Sequence, residues 1–156
     1  MYGKAGKENE LLTFLKELYE NDLPFNRLIG LKIKSISLEK VKTQFTMHTN
    51  LIGNPVQNTL HGGVISSVLD ATGGLVASAG IIQRMSAEPA AAVLNQFSKV
   101  GTIDLRVDYL RPGRGATFTA KANIMRSGRK VAVTRMSLSN EENLLIAVGT
   151  GTYLVG

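Results

Sequence analysis

The sequence predicts an α+β domain in which an antiparallel sheet of about six strands wraps one long central helix. The 21 residues from Gly62 to Ile82 contain no Lys, Arg or Glu, which is typical of a helix buried on nearly all sides. Two segments with period-two alternation precede this helix, and four strand candidates follow it. A chain of 156 residues, 44% of them hydrophobic, is sufficient for one core, so we expect a single domain over residues 1–156.

An amphipathic helix is predicted from Asn9 to Asp22, where apolar residues recur at three- and four-residue spacing until Pro24 ends the pattern. Further segments precede the central helix: a turn or single helical turn at 24–30, paired strands at 31–34 and 42–47, and an Asn-, Gly- and Pro-rich loop at 50–60.

The central helix itself is predicted over residues 62–80, and apolar residues at helical spacing predict a short extra helix at 87–100. Turn sequences such as Arg-Pro-Gly-Arg and Asn-Glu-Glu-Asn then separate the strand candidates at 102–110, 116–125, 130–139 and 144–154.

The composition limits the chemistry that the chain can perform. It has no cysteine and two histidines, which excludes disulfides, thiolate nucleophiles and cysteine metal sites, and we expect no metal. The net charge of +6 suits a polyanionic partner such as nucleic acid, anionic lipid or a phosphorylated cofactor. Because only 6% of the residues are aromatic and none is Trp, nucleic acid is the weaker option.

The apolar segment is long enough to resemble a membrane span, but it contains Asp70. A carboxylate near the middle of a spanning helix costs about 2.5 to 3.5 kcal/mol on insertion scales. The residues from Met1 to Glu20 mix Lys and Glu and lack the pattern of a secretion signal. We therefore expect a cytoplasmic protein with no membrane partner.

Asp70 is also the first candidate functional residue. An ionised carboxylate in an apolar, buried environment requires a hydrogen-bond partner or points to a catalytic task. The alternative is an Asp at an interface that a neighbouring amide or hydroxyl satisfies.

The motif His61-Gly62-Gly63 opens the same helix. Two glycines at a helix start leave unpaired N–H groups accessible at the positive end of the helix dipole, which predicts a site for an oxyanion or a carbonyl group. The alternative is a loop that needs the conformational freedom of glycine. His61 is either a general base or a capping or packing residue.

The spacing of these residues constrains any shared site. Nine residues at about 100° each place Asp70 on the opposite helix face from His61 and roughly 13 Å along the axis. One helix cannot present both to one substrate atom. A site built from Asp70 and the Gly62 amide therefore implies a two-fold dimer with two shared sites.

Three features form a recognisable pattern: His61-Gly62-Gly63, Asp70 nine residues after the histidine, and Thr-Ile-Asp-Leu-Arg-Val-Asp-Tyr-Leu-Arg-Pro at 102–112. Together they resemble the PaaI-like branch of the hotdog-fold thioesterase superfamily, over a likeness that extends from about Pro24 to Val155. Asn-Pro before Leu-His-Gly-Gly and the Tyr-Leu-Arg-Pro-Gly turn are most similar to the bacterial YigI-type acyl-CoA thioesterases. Residues 1–23 are then an N-terminal helical extension and 81–100 an insertion.

The resemblance implies a hotdog fold, a homodimer with a continuous sheet that often pairs into a tetramer, and hydrolysis of medium- to long-chain fatty acyl-CoA. It implies that the Gly62 amide, with Gly63 as a possible helper, polarises the thioester carbonyl. Asp70 of the partner subunit would act as general base on water or as nucleophile.

Further site residues are implied by the same resemblance. Thr102 would help to place the water or the carboxylate, and the upstream Asn of the site would be Asn54, with Asn50 and Asn58 as alternatives. The residues expected at the CoA phosphates are Arg111, Arg114, Arg126, Gly128, Arg129 and Lys130. Ordinary solvated turn charges are the alternative interpretation for each of these cations.

No cofactor is expected beyond the CoA of the substrate. The 81–100 insertion either lines the acyl channel or is a plain packing helix. The alternative function is a non-catalytic hotdog protein that binds or senses acyl-CoA, which an intact Asp70 disfavours. A nucleic-acid binder driven by net charge is a further alternative, without a recognition motif to support it.

Overall fold

The computed structural model describes the backbone of residues 2–156 and the side chains of residues 5–156. The helices of this part are α1 (Tyr2–Glu17), α2 (Pro24–Ile29), α3 (Gly62–Arg84) and α4 (Ala90–Phe97). The strands are β1 (Lys32–Ile36), β2 (Lys40–Thr46), β3 (Ile52–Asn54), β4 (Thr59–Leu60), β5 (Gly101–Tyr109), β6 (Thr117–Ser127), β7 (Val131–Asn140) and β8 (Leu145–Leu154). A π-helical turn at Leu18–Asp22 and a 3₁₀ turn at Thr49–Leu51 complete the described elements.

The predicted architecture is confirmed: an antiparallel six-stranded sheet in the order β1-β2-β6-β7-β8-β5 wraps α3. Helix α3 contacts β2, β5, β6, β7 and β8, and every residue from Thr72 to Ile82 is buried. It continues to Arg84, four residues beyond its predicted end. The segment predicted as a loop at 50–60 contains the short hairpin of β3 and β4.

Helix α3 is the one helix among the described residues whose length and composition would allow it to cross a membrane. However, 78% of its apolar 18-residue window is buried inside the fold. The sheet supplies the apolar environment that the helix needs, as it does for the core helix of a soluble protein.

The N-terminal extension begins earlier than predicted, at Tyr2 instead of Asn9. The prediction started late because the residues before Asn9 show no apolar periodicity. Leu11 and Leu15 of α1 are buried. Near the helix start, Lys7 Nζ donates a 3.0 Å hydrogen bond to the main-chain oxygen of Ser86 and so ties α1 to the segment after α3.

The insertion after α3 packs against α1. Val93 of α4 is fully buried, and the rings of Phe97 and Phe14 stack with centroids 6.2 Å apart. These contacts are those of a packing helix, one of the two alternatives for the segment.

The two edges of the sheet differ. Strand β1 has five residues, a bulge after Ile33 and two exposed lysines, Lys32 and Lys34, and the carboxylate of Glu20 accepts a hydrogen bond from the Ile33 amide. Such features block further strand pairing. Strand β5, at the opposite edge, has nine residues, and its Ile103 side chain is 56% exposed.

Candidate active site

The N-terminus of α3 presents a free main-chain amide. His61 is the N-cap, and its Nδ1 accepts a 2.8 Å hydrogen bond from the Gly63 amide. The first amide of a helix has no partner within the helix, and the hydrogen bonds of the described residues do not use the amide of Gly62. The ring of His61 therefore caps the helix, and Gly62 rather than Gly63 keeps its donor available.

Asp70 lies eight residues further along α3. The sequence predicted a buried side chain, but Asp70 is half-buried, because its face of the helix lines a cavity. Its Oδ1 accepts hydrogen bonds from Thr102 Oγ1 at 2.9 Å and from the hydroxyl of Tyr153 at 3.2 Å. The carboxylate thus has the hydrogen-bond partners expected for it, and one of them is the predicted Thr102.

The cavity beside Asp70 has a volume of about 250 Å³. Its apolar and aromatic lining comes from the N-terminal extension, from α2, from the residue before β5 and from β8: Tyr19, Leu23, Phe25, Val100 and Tyr153. Burial raises the pKa of the phenols of Tyr19 and Tyr153, and the neighbouring Asp70 carboxylate adds to the rise at both. Both hydroxyls therefore stay protonated and can act as hydrogen-bond donors at neutral pH.

Gly62 and Asp70 do not meet within one chain. Gly62 lines a different depression of about 350 Å³, together with Tyr109, Arg111 and Leu60. This separation agrees with the helix geometry, because eight residues at about 1.5 Å each place the two groups roughly 12 Å apart along α3.

Side-chain hydrogen bonds connect these two groups to opposite ends of β5. Thr102, the second residue of the strand, donates to Asp70. Tyr109, its last residue, donates a 3.0 Å hydrogen bond to the main-chain oxygen of Gly62. The edge strand therefore has the carboxylate at its beginning and the free amide at its end.

The six residues predicted at the CoA phosphates separate into two groups. Arg111 and Arg114 follow β5 and lie at the Gly62 end of the sheet. The turn at 126–130 lies at the Asp70 end of the sheet. Neighbouring strands pair residues in a row that runs from this turn to Thr102, the residue that donates to Asp70: Ser127, Ala132, Tyr153 and Thr102. All five cations are exposed, and Gly128 forms the tight turn by donating to Val131 O at 2.9 Å.

The asparagines before the His-Gly-Gly motif lie in the hairpin segment. The Oδ1 of Asn54 accepts from the amides of Val56 and Gln57, both at 3.1 Å, so this side chain stabilises a local turn. Asn58 has a positive φ of 51°, and Asn50 is exposed in the 3₁₀ turn. None of the three lines the cavity beside Asp70, and the place of an Asn in the site stays a prediction.

Three site contacts were not predicted. The hydroxyls of Tyr153 and Tyr109 bond Asp70 and Gly62. Arg84, at the end of α3, donates to the main-chain oxygens of Gly128 and Val155, and burial lowers the pKa of its guanidinium. Arg84 thereby fixes the basic turn at 126–130. The glycines that surround Tyr153 are the sequence signal that could have identified it.

Metal ligands do not gather at this site. Among the residues that the structure describes, no group of three His, Asp or Glu side chains could hold a metal ion. The expectation of no metal and no cofactor beyond substrate CoA stays a prediction.

Comparisons with known proteins give the family and the fold. The model of the thioesterase superfamily matches residues 57–147. The medium/long-chain acyl-CoA thioesterase YigI of Escherichia coli strain K12 is 43% identical over 147 residues, which cover 94% of this chain and 95% of that protein. The predicted relationship to YigI-type thioesterases is thereby confirmed.

Solved structures agree. A Shewanella oneidensis protein related to the thioesterase superfamily has 44% sequence identity and a TM-score of 0.92, and the match covers 96% of this chain and 97% of that one. Zebra fish thioesterase superfamily member 2 has a TM-score of 0.71 at 20% identity, a likeness of fold alone, over 93% of this chain and 98% of that one. The hotdog fold is confirmed.

Proposed function

Because this chain belongs to the thioesterase superfamily and is a thioesterase, we propose that it hydrolyses medium- to long-chain fatty acyl-CoA in sites shared between two subunits. One observation carries the proposal: Asp70 and the main-chain oxygen of Gly62, the residue with the free amide, accept hydrogen bonds from opposite ends of the edge strand β5. The name of the 43% identical relative supports the substrate class.

A two-fold axis beside the middle of β5, at the edge that faces away from β8, brings the two groups together. When β5 pairs antiparallel with the same strand of a second chain, the beginning of each strand lies beside the end of the other. Thr102 then lies opposite the partner's Tyr109, and Asp70 approaches the partner's Gly62. The exposed edge of β5 favours this pairing, since β1 at the other edge is short and lysine-bearing, and its Ile33 amide already donates to Glu20.

In such a site the thioester carbonyl accepts a hydrogen bond from the Gly62 amide at the positive end of α3, where the negative charge of the tetrahedral intermediate develops. On the general-base route, Asp70 takes a proton from water while the water oxygen bonds the carbonyl carbon. The C–S bond then breaks, and the proton passes to the CoA sulfur.

On the nucleophile route, an Asp70 oxygen bonds the carbonyl carbon and the C–S bond breaks, which gives a mixed anhydride and CoA thiolate. Water then hydrolyses the anhydride: the fatty acid leaves, the Asp70 carboxylate is restored, and the remaining proton of the water passes to the CoA thiolate. Both routes need the same two groups in the same place.

The surroundings suit the two ends of an acyl-CoA. The cavity beside Asp70, with Leu23 and Phe25 in its lining, offers apolar contact to the acyl chain. In the antiparallel dimer, the turn at 126–130 of one chain lies at the same end as the partner's Arg111. The CoA phosphates would therefore meet cations from both chains.

The test is thiol release from short, medium, long and aromatic acyl-CoA esters by the unsubstituted chain and by Asp70→Asn, which keeps the size of the side chain but removes its charge. We expect release that is fastest with medium to long chains and falls about 10² to 10⁴-fold in the variant. Binding of esters without release would instead indicate a sensor. Release that is unchanged in Asp70→Asn would overturn the assignment of the carboxylate.

A further inference from the structure

Tyr153 is the most buried polar neighbour of the candidate carboxylate. It lies near the end of β8, is 1% exposed, and its hydroxyl is 3.2 Å from Asp70 Oδ1 and 3.1 Å from the main-chain oxygen of Asp70. That main-chain oxygen is inside α3, where it accepts from the amide four residues further on. The carboxylate Oδ1, which has no acceptor role within the helix, is therefore the atom that a hydrogen bond from the Tyr153 hydroxyl stabilises more.

Two glycines leave the space that the side chain of Tyr153 occupies. A Cβ on Gly151 would lie 2.6 Å from the ring and hydroxyl of Tyr153, and a Cβ on Gly73 would collide with the hydroxyl. Real side-chain carbons do not approach that closely, so both positions require glycine as long as the tyrosine is present. Glycine inside a helix or a strand lowers stability by roughly 0.5 to 1 kcal/mol relative to alanine, and two elements accept this cost around one side chain.

The side-chain hydrogen bonds that the described residues donate to the Asp70 carboxylate all reach the same oxygen. Thr102 and Tyr153 both donate to Oδ1, and the described residues provide no donor to Oδ2. Two donors on one oxygen fix the carboxyl plane and direct the other oxygen into the cavity, whose lining includes Asp70.

We propose that Tyr153 is a positioning residue, whose buried hydroxyl acts with Thr102 to hold Oδ1 of Asp70 and to direct Oδ2 at the water or the thioester carbon. The inference rests on the proposed function and deepens it. It applies to the general-base and the nucleophile routes alike, because each needs one free oxygen at a fixed angle. Burial and the nearby carboxylate raise the pKa of the Tyr153 phenol, so the donor persists throughout the working range of pH.

The test uses the full-length protein and the acyl-CoA ester with the highest turnover. Tyr153→Phe removes the donor and keeps the ring; we expect kcat to fall about 10- to 100-fold, the effect of losing one hydrogen bond to a charged group, with KM within twofold of the original. In the Asp70→Asn background, the same substitution should have no further effect on kcat, since the two residues act as one unit. Incorporation of 4-aminophenylalanine in place of Tyr153, which keeps a donor at the same place, should restore most of kcat.

Thr43→Val is the control for a buried hydroxyl whose loss affects stability alone, because Thr43 bonds Thr72 at 2.9 Å away from the cavity lining. It should lower the melting temperature and leave kcat unchanged. If Tyr153→Phe is insoluble, 4-fluorophenylalanine, which has a similar size and no donor, replaces it.

A soluble donor-free variant with the kcat of the unsubstituted chain would overturn the role of Tyr153 and leave the proposed function intact. An equal loss of kcat in the original and the Asp70→Asn backgrounds would do the same. Absence of thiol release by the unsubstituted chain would overturn both proposals.

Discussion

Replacing Gly62 with proline should remove the proposed oxyanion donor without disturbing the helix that holds it. Gly62 is the first residue of α3, the position at which proline is best tolerated. The preceding residue, His61, has φ −62° and ψ 135°, which is the extended conformation that a following proline requires. The substitution therefore deletes one N–H group and little else.

The size of the effect follows from the contacts of that amide. Within the described chain it donates to no group, so its removal breaks no structural hydrogen bond. Proline also restricts the unfolded chain, which stabilises a compatible site by about 0.4–1 kcal/mol. Loss of an oxyanion donor, in contrast, costs about 2.7–4 kcal/mol in the transition state, or 10² to 10³ in kcat. We expect a large loss of turnover with an unchanged or slightly higher melting temperature.

The assay compares kcat, KM and melting temperature of Gly62→Pro and Gly62→Ala with those of the unsubstituted chain. Alanine keeps the N–H group, and its Cβ would lie 3.5 Å from the ring of Tyr109, an ordinary contact. The alanine variant should thus retain most of its turnover. A folded proline variant with undiminished kcat would show that the Gly62 amide does not stabilise the oxyanion.

Other measurements test the remaining features of the site. Mixing the inactive Asp70→Ala and Gly62→Pro proteins under conditions of subunit exchange should restore roughly a quarter of the original activity. Half of the dimers are then mixed, and each mixed dimer contains one complete site and one site that lacks both groups. If activity does not recover after subunit exchange has been demonstrated, the site is not shared between subunits. Arg129→Glu should raise KM for CoA esters about three- to tenfold with kcat unchanged, whereas Lys16→Glu, an equal charge change on exposed α1, should leave KM as it was. Leu23→Trp puts a larger side chain in the lining of the cavity beside Asp70, so it should reduce kcat/KM for long-chain esters at least tenfold more than for short-chain esters. Equal losses at every chain length would show that this part of the lining does not contact the acyl chain.

Local pattern was sufficient to predict most of the fold. The absence of charge around Asp70 predicted α3, period-two alternation predicted β1 and β2, and the turn sequences after the insertion delimited the other four strands of the main sheet. The start of α1 was predicted too late, because the residues before Asn9 have no apolar periodicity and are held by contacts such as that of Lys7 with Ser86. Such contacts join residues far apart in the sequence, where local pattern carries no information.

The same limit applies to the site. The spacing from His61 to Asp70 was enough to predict that one chain separates the two groups, because helix geometry alone determines it. Helix geometry could not identify Tyr153, since it is 83 residues from Asp70, and the glycines that surround it are what distinguishes it from other residues of a core strand. The burial of Asp70 was overestimated, because the cavity on its side depends on how the N-terminal extension is placed. The tetramer and the cytoplasmic location stay predictions.

The free edge of β5 has a consequence for making and handling this protein. On the side of this nine-residue strand that faces away from β8, the main-chain amides and carbonyls of alternate residues have no strand partner among the described residues. Together with the largely exposed apolar side chain of Ile103, they are a template for any other extended chain. In the proposed dimer each subunit protects the other from this association. Substitutions that weaken subunit contact are therefore expected to yield precipitate during expression or storage instead of a soluble, inactive monomer, and solubility becomes an early indicator of assembly.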